Sequence, residues 1–189
     1  MSNKLNLFAA VLRTMLITVL ALVATIGFSD CLAGEQASTF NIYLSKEEPT
    51  QVNQDCGRVF AVTRTAPKTS AVAEAALSEL FRGPTPEELS QGYHSWFSEK
   101  TRSILRSVRI SQGTAYVNLH DIRALIPGAS SSCGSTEFFA QVETTLKQFA
   151  TVKRVIFAIN GKPRTFYDWM QMECGKKNNY CNDRPFRGK

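Results

Sequence analysis

Histidine is nearly missing from this chain. His94 and His120 are the two in 189 residues, and they do not form the H-x-x-x-H spacing that sets two imidazoles on one helix face. A zinc centre is therefore not expected. Long apolar runs are missing too. Met15–Phe28 (MLITVLALVATIGF) is a run of 14, short of the ~20 residues a membrane-spanning helix needs. The glycines are scattered, so no loop is built to cradle phosphate, and no cofactor is expected. There is no G-x-S-x-G. GASSSCG (Gly128–Gly134) carries Ser130, Ser131 and Ser132 in a loop, without the strand and sharp turn that expose a nucleophilic serine. Asp121 and Asp168 are single acids far apart in the sequence, and no segment repeats the pattern of another.

The opening residues read as a leader. Lys4 and Arg13 give a positive start, the apolar run follows, and Ala33-Gly34 offers a small-residue cleavage point. Residues 1–33 thus fit a secretory signal peptide. Asp30 before Cys31, with Phe28 at the third position back, does not suit lipidation of that cysteine. Cys56, Cys133, Cys174 and Cys181 follow the leader. An even count in an exported chain reads as two disulfides. After the leader the net charge is +5, of which +4 falls in Gly175–Lys189. The body is close to neutral, so the high pI describes a basic tail and not a nucleic-acid-binding face.

Phe40, Ile42 and Leu44 alternate with polar neighbours and mark a strand, and Arg58–Thr63 (RVFAVT) a second, ending before Pro67. A helix capped by Thr69 or Ser70 runs to Arg82, with Val72, Ala76, Leu80 and Ala73, Leu77, Phe81 on one stripe. Val108 and Ile110 are separated by Gln112-Gly113 from Ala115, Val117 and Leu119, a hairpin signal. Ser135 is placed to cap a second long helix, with Glu137 in its first turn and Phe138, Val142, Leu146 and Phe149 buried. Val152–Asn160 is apolar at nearly every position after Arg154, the mark of an interior strand. Phe166–Met172 can add a last helical turn. The order β-β-α-β-β-α-β predicts an α+β sandwich: a mixed sheet of about five strands with two main helices on one face, over residues 40–170. Residues 171–189 form a basic C-terminal tail.

The densest signals fall in Leu80–Tyr93 (LFRGPTPEELSQGY). Gly83 can end the first helix in a left-handed conformation. After Pro84, Thr85 is an N-cap, Pro86 takes the first helical position, and Glu88 completes a capping box. Gly92 can stop this short turn. None of these residues is a nucleophile or ligand, so the stretch reads as structural. Tyr93, Trp96 and Phe97 follow. They either close the core or form a contact surface, where Tyr93 and Trp96 are able to stack on sugar.

Cys133, just before a helix N-terminus and with His120 as a base, is the strongest catalytic arrangement available. A disulfide-bonded cysteine is the better reading in an exported chain. His94, beside Trp96, fits an aromatic surface cover.

These segments resemble the GerMN domain family, known from sporulation and spore germination proteins. The resemblance lies in VTRTAP (Val62–Pro67), ALSELFRGPTPEELSQGY (Ala76–Tyr93), SVRISQGTAYVNL (Ser107–Leu119) and TLKQFATVKRVIFAINGKP (Thr145–Pro163). It implies an α/β module similar to ring-building motifs. It also implies a non-catalytic binding or assembly role in the cell envelope. It does not name the partner, which is expected to be another envelope protein or a cell-wall polymer. The germination protein carries two such domains, and this chain carries one. Relatives with a single domain share a cysteine before VFxVTR and another in a GSC-like loop. The resemblance thus implies a Cys56–Cys133 bond. Cys174 and Cys181 would then close a small loop outside the family pattern.

Overall fold

The computed structural model describes residues 36–47, 55–174 and 179–187. The expected leader, residues 1–33, lies outside them, as do Lys176, Lys177 and Lys189 of the tail.

The first strand, β1 (Ala37–Lys46), buries Phe40, Ile42 and Leu44 on one face. It pairs antiparallel with β2 (Phe60–Pro67), from Ala37 opposite Pro67 to Leu44 opposite Phe60. Pro67 thus ends the strand from inside it, on an edge where its missing N–H costs no ladder bond. Helix α1 (Val72–Arg82) follows and buries Ala73, Ala76, Leu77, Leu80 and Phe81. Its N-cap position is Ala71, which offers no side-chain cap. Thr69, one of the two expected caps, instead accepts the Ala71 amide at 3.0 Å. A short α2 (Pro86–Ser90) leads to β3 (Tyr93–His94), a two-residue strand that pairs with Ser45 and Lys46 at the end of β1.

The second half opens with the hairpin of β4 (Leu105–Ser111) and β5 (Thr114–Leu119). Gln112 and Gly113 have φ of 48° and 75°, the doubly left-handed turn that matches strand twist. Helix α3 (Ser132–Lys147) then crosses over to β6 (Arg154–Ile159), which lies parallel to β5. The cap of α3 is Ser131, whose hydroxyl accepts the Gly134 amide at 3.1 Å. Ser135, expected as the cap, sits inside the first turn and donates to the Ser132 carbonyl. Glu137 is consequently one turn further in than expected. A last helix, α4 (Pro163–Trp169), packs against β6.

The expected single sheet is replaced by two sheets of three strands, ordered β2-β1-β3 and β4-β5-β6. The reason lies on the second edge of β1. Its Tyr43 amide donates to the Thr145 hydroxyl at 3.1 Å and its Asn41 amide to the Gln148 side chain at 3.0 Å, while Gln148 donates back to the Asn41 carbonyl. Side chains from the end of α3 thus satisfy the backbone groups a further strand would have used. Strand β6 shows a related substitution. It is buried on both faces yet stands at a sheet edge, where the Tyr167 hydroxyl of α4 accepts the Phe157 amide at 3.2 Å. Continuous burial signals cover on both faces, not a strand on both sides. One apolar core joins both sheets, with Phe81, Phe97, Phe138, Phe157 and Phe166 packed ring against ring.

Candidate functional site

The punctuated stretch folds as its residues dictate. Gly83 has φ of 79°, and a Cβ there would lie 2.2 Å from the Phe97 carbonyl oxygen. Glycine is required both for the backbone and for the close approach. Thr85 Oγ1 accepts the Glu88 amide at 3.3 Å, and Glu88 Oε2 accepts the Thr85 amide at 2.8 Å, a complete capping box.

Glu88 does more than cap. It is 9% exposed, and both of its oxygens are held by the Arg64 guanidinium, with Nη2 to Oε2 at 2.6 Å and Nη1 to Oε1 closing the fork. Arg64 also has Glu79 of α1 at 4.0 Å. Burial alone pushes the Glu88 carboxyl up. The Arg64 hydrogen bonds, the Thr85 amide and the Arg64 charge outweigh it, so the carboxyl sits below the ordinary glutamate value. Arg64 lies in VTRTAP and Glu88 in GPTPEE, so two distant sequence pieces meet in one ion pair. Sequence reasoning missed Arg64. Its only signal was a lone charge at an otherwise apolar-facing position of a strand.

Beside this pair runs a groove of about 610 Å³, walled by Arg64, Arg82, Pro84, Leu89, His94 and Phe97 among others. Leu89 stands 55% exposed at its rim and was not singled out in the sequence, where it is one apolar residue in a five-residue helix. The other rim is fixed by a polar network. Ser95 Oγ donates to the fully buried Gln141 at 2.6 Å, and Gln141 Nε2 donates to Ser45 at 2.9 Å and Glu137 at 3.0 Å. His94 Nδ1 lies 3.3 Å from the same Glu137 oxygen. This network ties β3 to β1 and α3. His94 is thereby a partner of Glu137, where an aromatic surface cover was expected.

The three aromatics of the expected contact surface do not stay together. Phe97 is 1% exposed, with its ring 4.7 Å from Phe81 and 5.5 Å from Phe138, and belongs to the core. Trp96 is half-buried with its ring against Gly128, where a Cβ would come within 2.7 Å of it. Tyr93 is half-buried and has the Lys46 ammonium 4.6 Å from its ring centre. Of these apolar side chains, Leu89 is the exposed one, and Tyr93 and Trp96 are half-buried.

The cysteines form two bonds, Cys56–Cys133 and Cys174–Cys181, with Cα separations of 5.4 and 5.5 Å. The first ties the approach to β2 to the first turn of α3. The Cys133 sulfur is therefore engaged. His120 is exposed at the end of β5, its amide bonded to the Ile104 carbonyl. Ser131 is a helix cap and Ser130 donates to the Pro127 carbonyl. Asp121 is held by Arg123 at 2.6 and 2.9 Å, and those hydrogen bonds draw its carboxyl down to about 2. Asp168 is exposed on α4.

The model of the family described as "Germane: Sporulation and spore germination" matches residues 41–165. Among solved structures, the tandem GerMN domains of the sporulation protein GerM from Bacillus subtilis are similar, with 23% identity and a TM-score of 0.48. That match covers 67% of this chain and 40% of that one. The first GerMN domain of the same protein is similar at 23% identity and a TM-score of 0.45, over 66% of this chain and 84% of that one. No curated protein matches.

Proposed function

Since this chain belongs to the Germane family of sporulation and spore germination domains, we propose that it is an exported, non-catalytic binding or assembly module of the bacterial cell envelope. Its partner is another envelope protein, which docks along the groove beside the capped turn. The observation that carries this reading is the placement of Leu89. A large apolar side chain stands exposed on a turn that is held rigid by the Arg64–Glu88 pair and a full capping box. A preformed apolar contact on a fixed backbone loses little freedom on binding. The two disulfides support an oxidising compartment. The bond at Cys133 supports the non-catalytic half of the reading.

A photo-crosslinking residue in place of Leu89 tests the reading in intact cells. One protein of the envelope fraction should be captured, and Leu89→Asp should abolish its co-purification with no change in melting temperature. Retention on purified cell wall, with no protein adduct, would overturn it. Thiol titration of the unreduced protein should find no reactive thiol. One reactive thiol at Cys133 would overturn the non-catalytic assignment.

A further inference from the structure

Residues 179–187, part of the expected basic tail, form a strap clasped against α4 and the outer face of the second sheet. The Tyr180 ring stacks on Tyr167 at 4.8 Å and 10°, with the Arg154 guanidinium 5.0 Å from its centre. Phe186 meets Tyr116 edge-on at 5.7 Å. Arg109 lies over Tyr116 and donates through Nη2 to the Pro185 carbonyl at 2.9 Å. The Cys174–Cys181 bond closes the loop that brings Tyr180 back to α4.

This docking gathers charge. Strand alternation sends Val108 and Val117 to the core and Arg109 and Tyr116 outward. Arg106 is exposed next to them and donates to the neutral Asn160 side chain at 2.9 Å. The strap adds Arg184 and Arg187, both exposed. Five arginines, counting Arg154, thus share one face, and Asp183 on the strap is taken by Arg187 at 2.7 Å. The sequence showed a basic tail and a neutral body. The fold lays what it describes of that tail on the most basic strands of the body.

We infer that this strapped face binds a linear polymer of phosphate groups. The charges are arginines, whose planar forks match phosphate oxygens. They reach the face from two layers, sheet and strap. A chain of phosphates offers tetrahedrally spread oxygens at every unit, so forks from both layers find acceptors along it. The face is not shaped for lipid, because Tyr180 turns inward onto Tyr167 of α4 and Phe186 onto Tyr116 of the sheet, so the described residues leave no apolar wedge to insert. The same inward turn leaves no open ring on which nucleic-acid bases would stack. This inference is independent of the groove beside Leu89.

Fluorescence anisotropy of labelled inorganic polyphosphate, titrated with the full chain at several salt concentrations, tests it. Binding should saturate, and its logarithm should fall linearly with log salt. Arg184→Glu with Arg187→Glu should weaken binding at least about tenfold and flatten the slope by about 0.7 per lost phosphate contact, with unchanged circular dichroism. Cys174→Ser with Cys181→Ser should weaken it in the same direction by freeing the strap. Arg102→Glu with Arg123→Glu, which changes equal charge on arginines paired with Glu99 and Asp121, should leave it unchanged. Equal loss in that control would show unspecific attraction to net charge. Absence of polyphosphate binding, or tighter binding to poly-glutamate or to vesicles with 30% anionic phospholipid (about that fraction), would overturn the inference.

Discussion

Two short segments are held onto the body of this protein by opposite means. The capped turn α2 is fixed by a half-buried ion pair, reciprocal backbone caps and a glycine pressed against Phe97. The C-terminal strap is fixed by a covalent loop, two ring contacts, one guanidinium–ring contact and the Arg109 hydrogen bond to the Pro185 carbonyl. The first means is local and directional. It leaves the turn rigid and an apolar Leu89 exposed. The second is broad and tolerant. It leaves the strap's charged side chains outermost. A rigid apolar knob suits a shaped protein partner, and a spread of arginines suits a polymer with many equivalent charges.

The largest effect should come from a bond that touches neither segment. Cys56→Ser with Cys133→Ser, which opens a link of sequence separation 77, should cost about 4–5 kcal/mol in urea unfolding on the chain-entropy relation. A loss under half of that would mean that the unfolded chain retains structure across this link. Arg64→Ala should come next, at about 3 kcal/mol, because it strands a buried carboxylate. The same pair sets an acid dependence. The Glu88 carboxyl lies below its ordinary 4.5 in the folded state, so its contribution is complete above that value and is lost as pH falls through the depressed one. Arg64→Ala should flatten that part of the stability–pH curve, and an unchanged curve would remove Glu88 as its source.

Cys174→Ser with Cys181→Ser should cost less, about 2–3 kcal/mol by the same relation for a separation of 7, taken from the local stability of the strap. Hydrogen exchange sharpens the contrast. Amides of residues 179–187 should lose protection while those of β1 keep theirs, whereas Arg64→Ala should lower both. Uniform loss from the strap variant would make strap and body one cooperative unit. The smallest effect is Thr85→Ala, at about 1 kcal/mol, read as a shift in the urea midpoint. Loss of partner capture without that shift would give Thr85 a binding role.

Much of the fold could be read from local chemistry. The alternation in Phe40–Leu44, the stripe in Ala73–Phe81 and the Gln112-Gly113 turn each depend on residues a few positions apart. The Thr85–Glu88 box does as well, and all four stand where the sequence placed them. The cap of α3 slipped from Ser135 to Ser131 because a run of serines offers several equivalent caps, and only the packing of the helix selects one. Phe97 could not be assigned to surface or core from its neighbours, since an aromatic next to Trp96 reads the same in either place.

Sequence by itself determined the main elements and the family to which they belong, because periodicity and turns are short-range properties of the chain. Tertiary structure decided what meets what. Along Asn41 and Tyr43 the second edge of β1 went to Gln148 and Thr145, Arg64 found Glu88, and residues 179–187 folded back onto Tyr116 and Tyr167. A backbone amide accepts any well-placed oxygen, and a guanidinium any carboxylate or ring. Which one it gets depends on distances that exist only once the whole chain has folded.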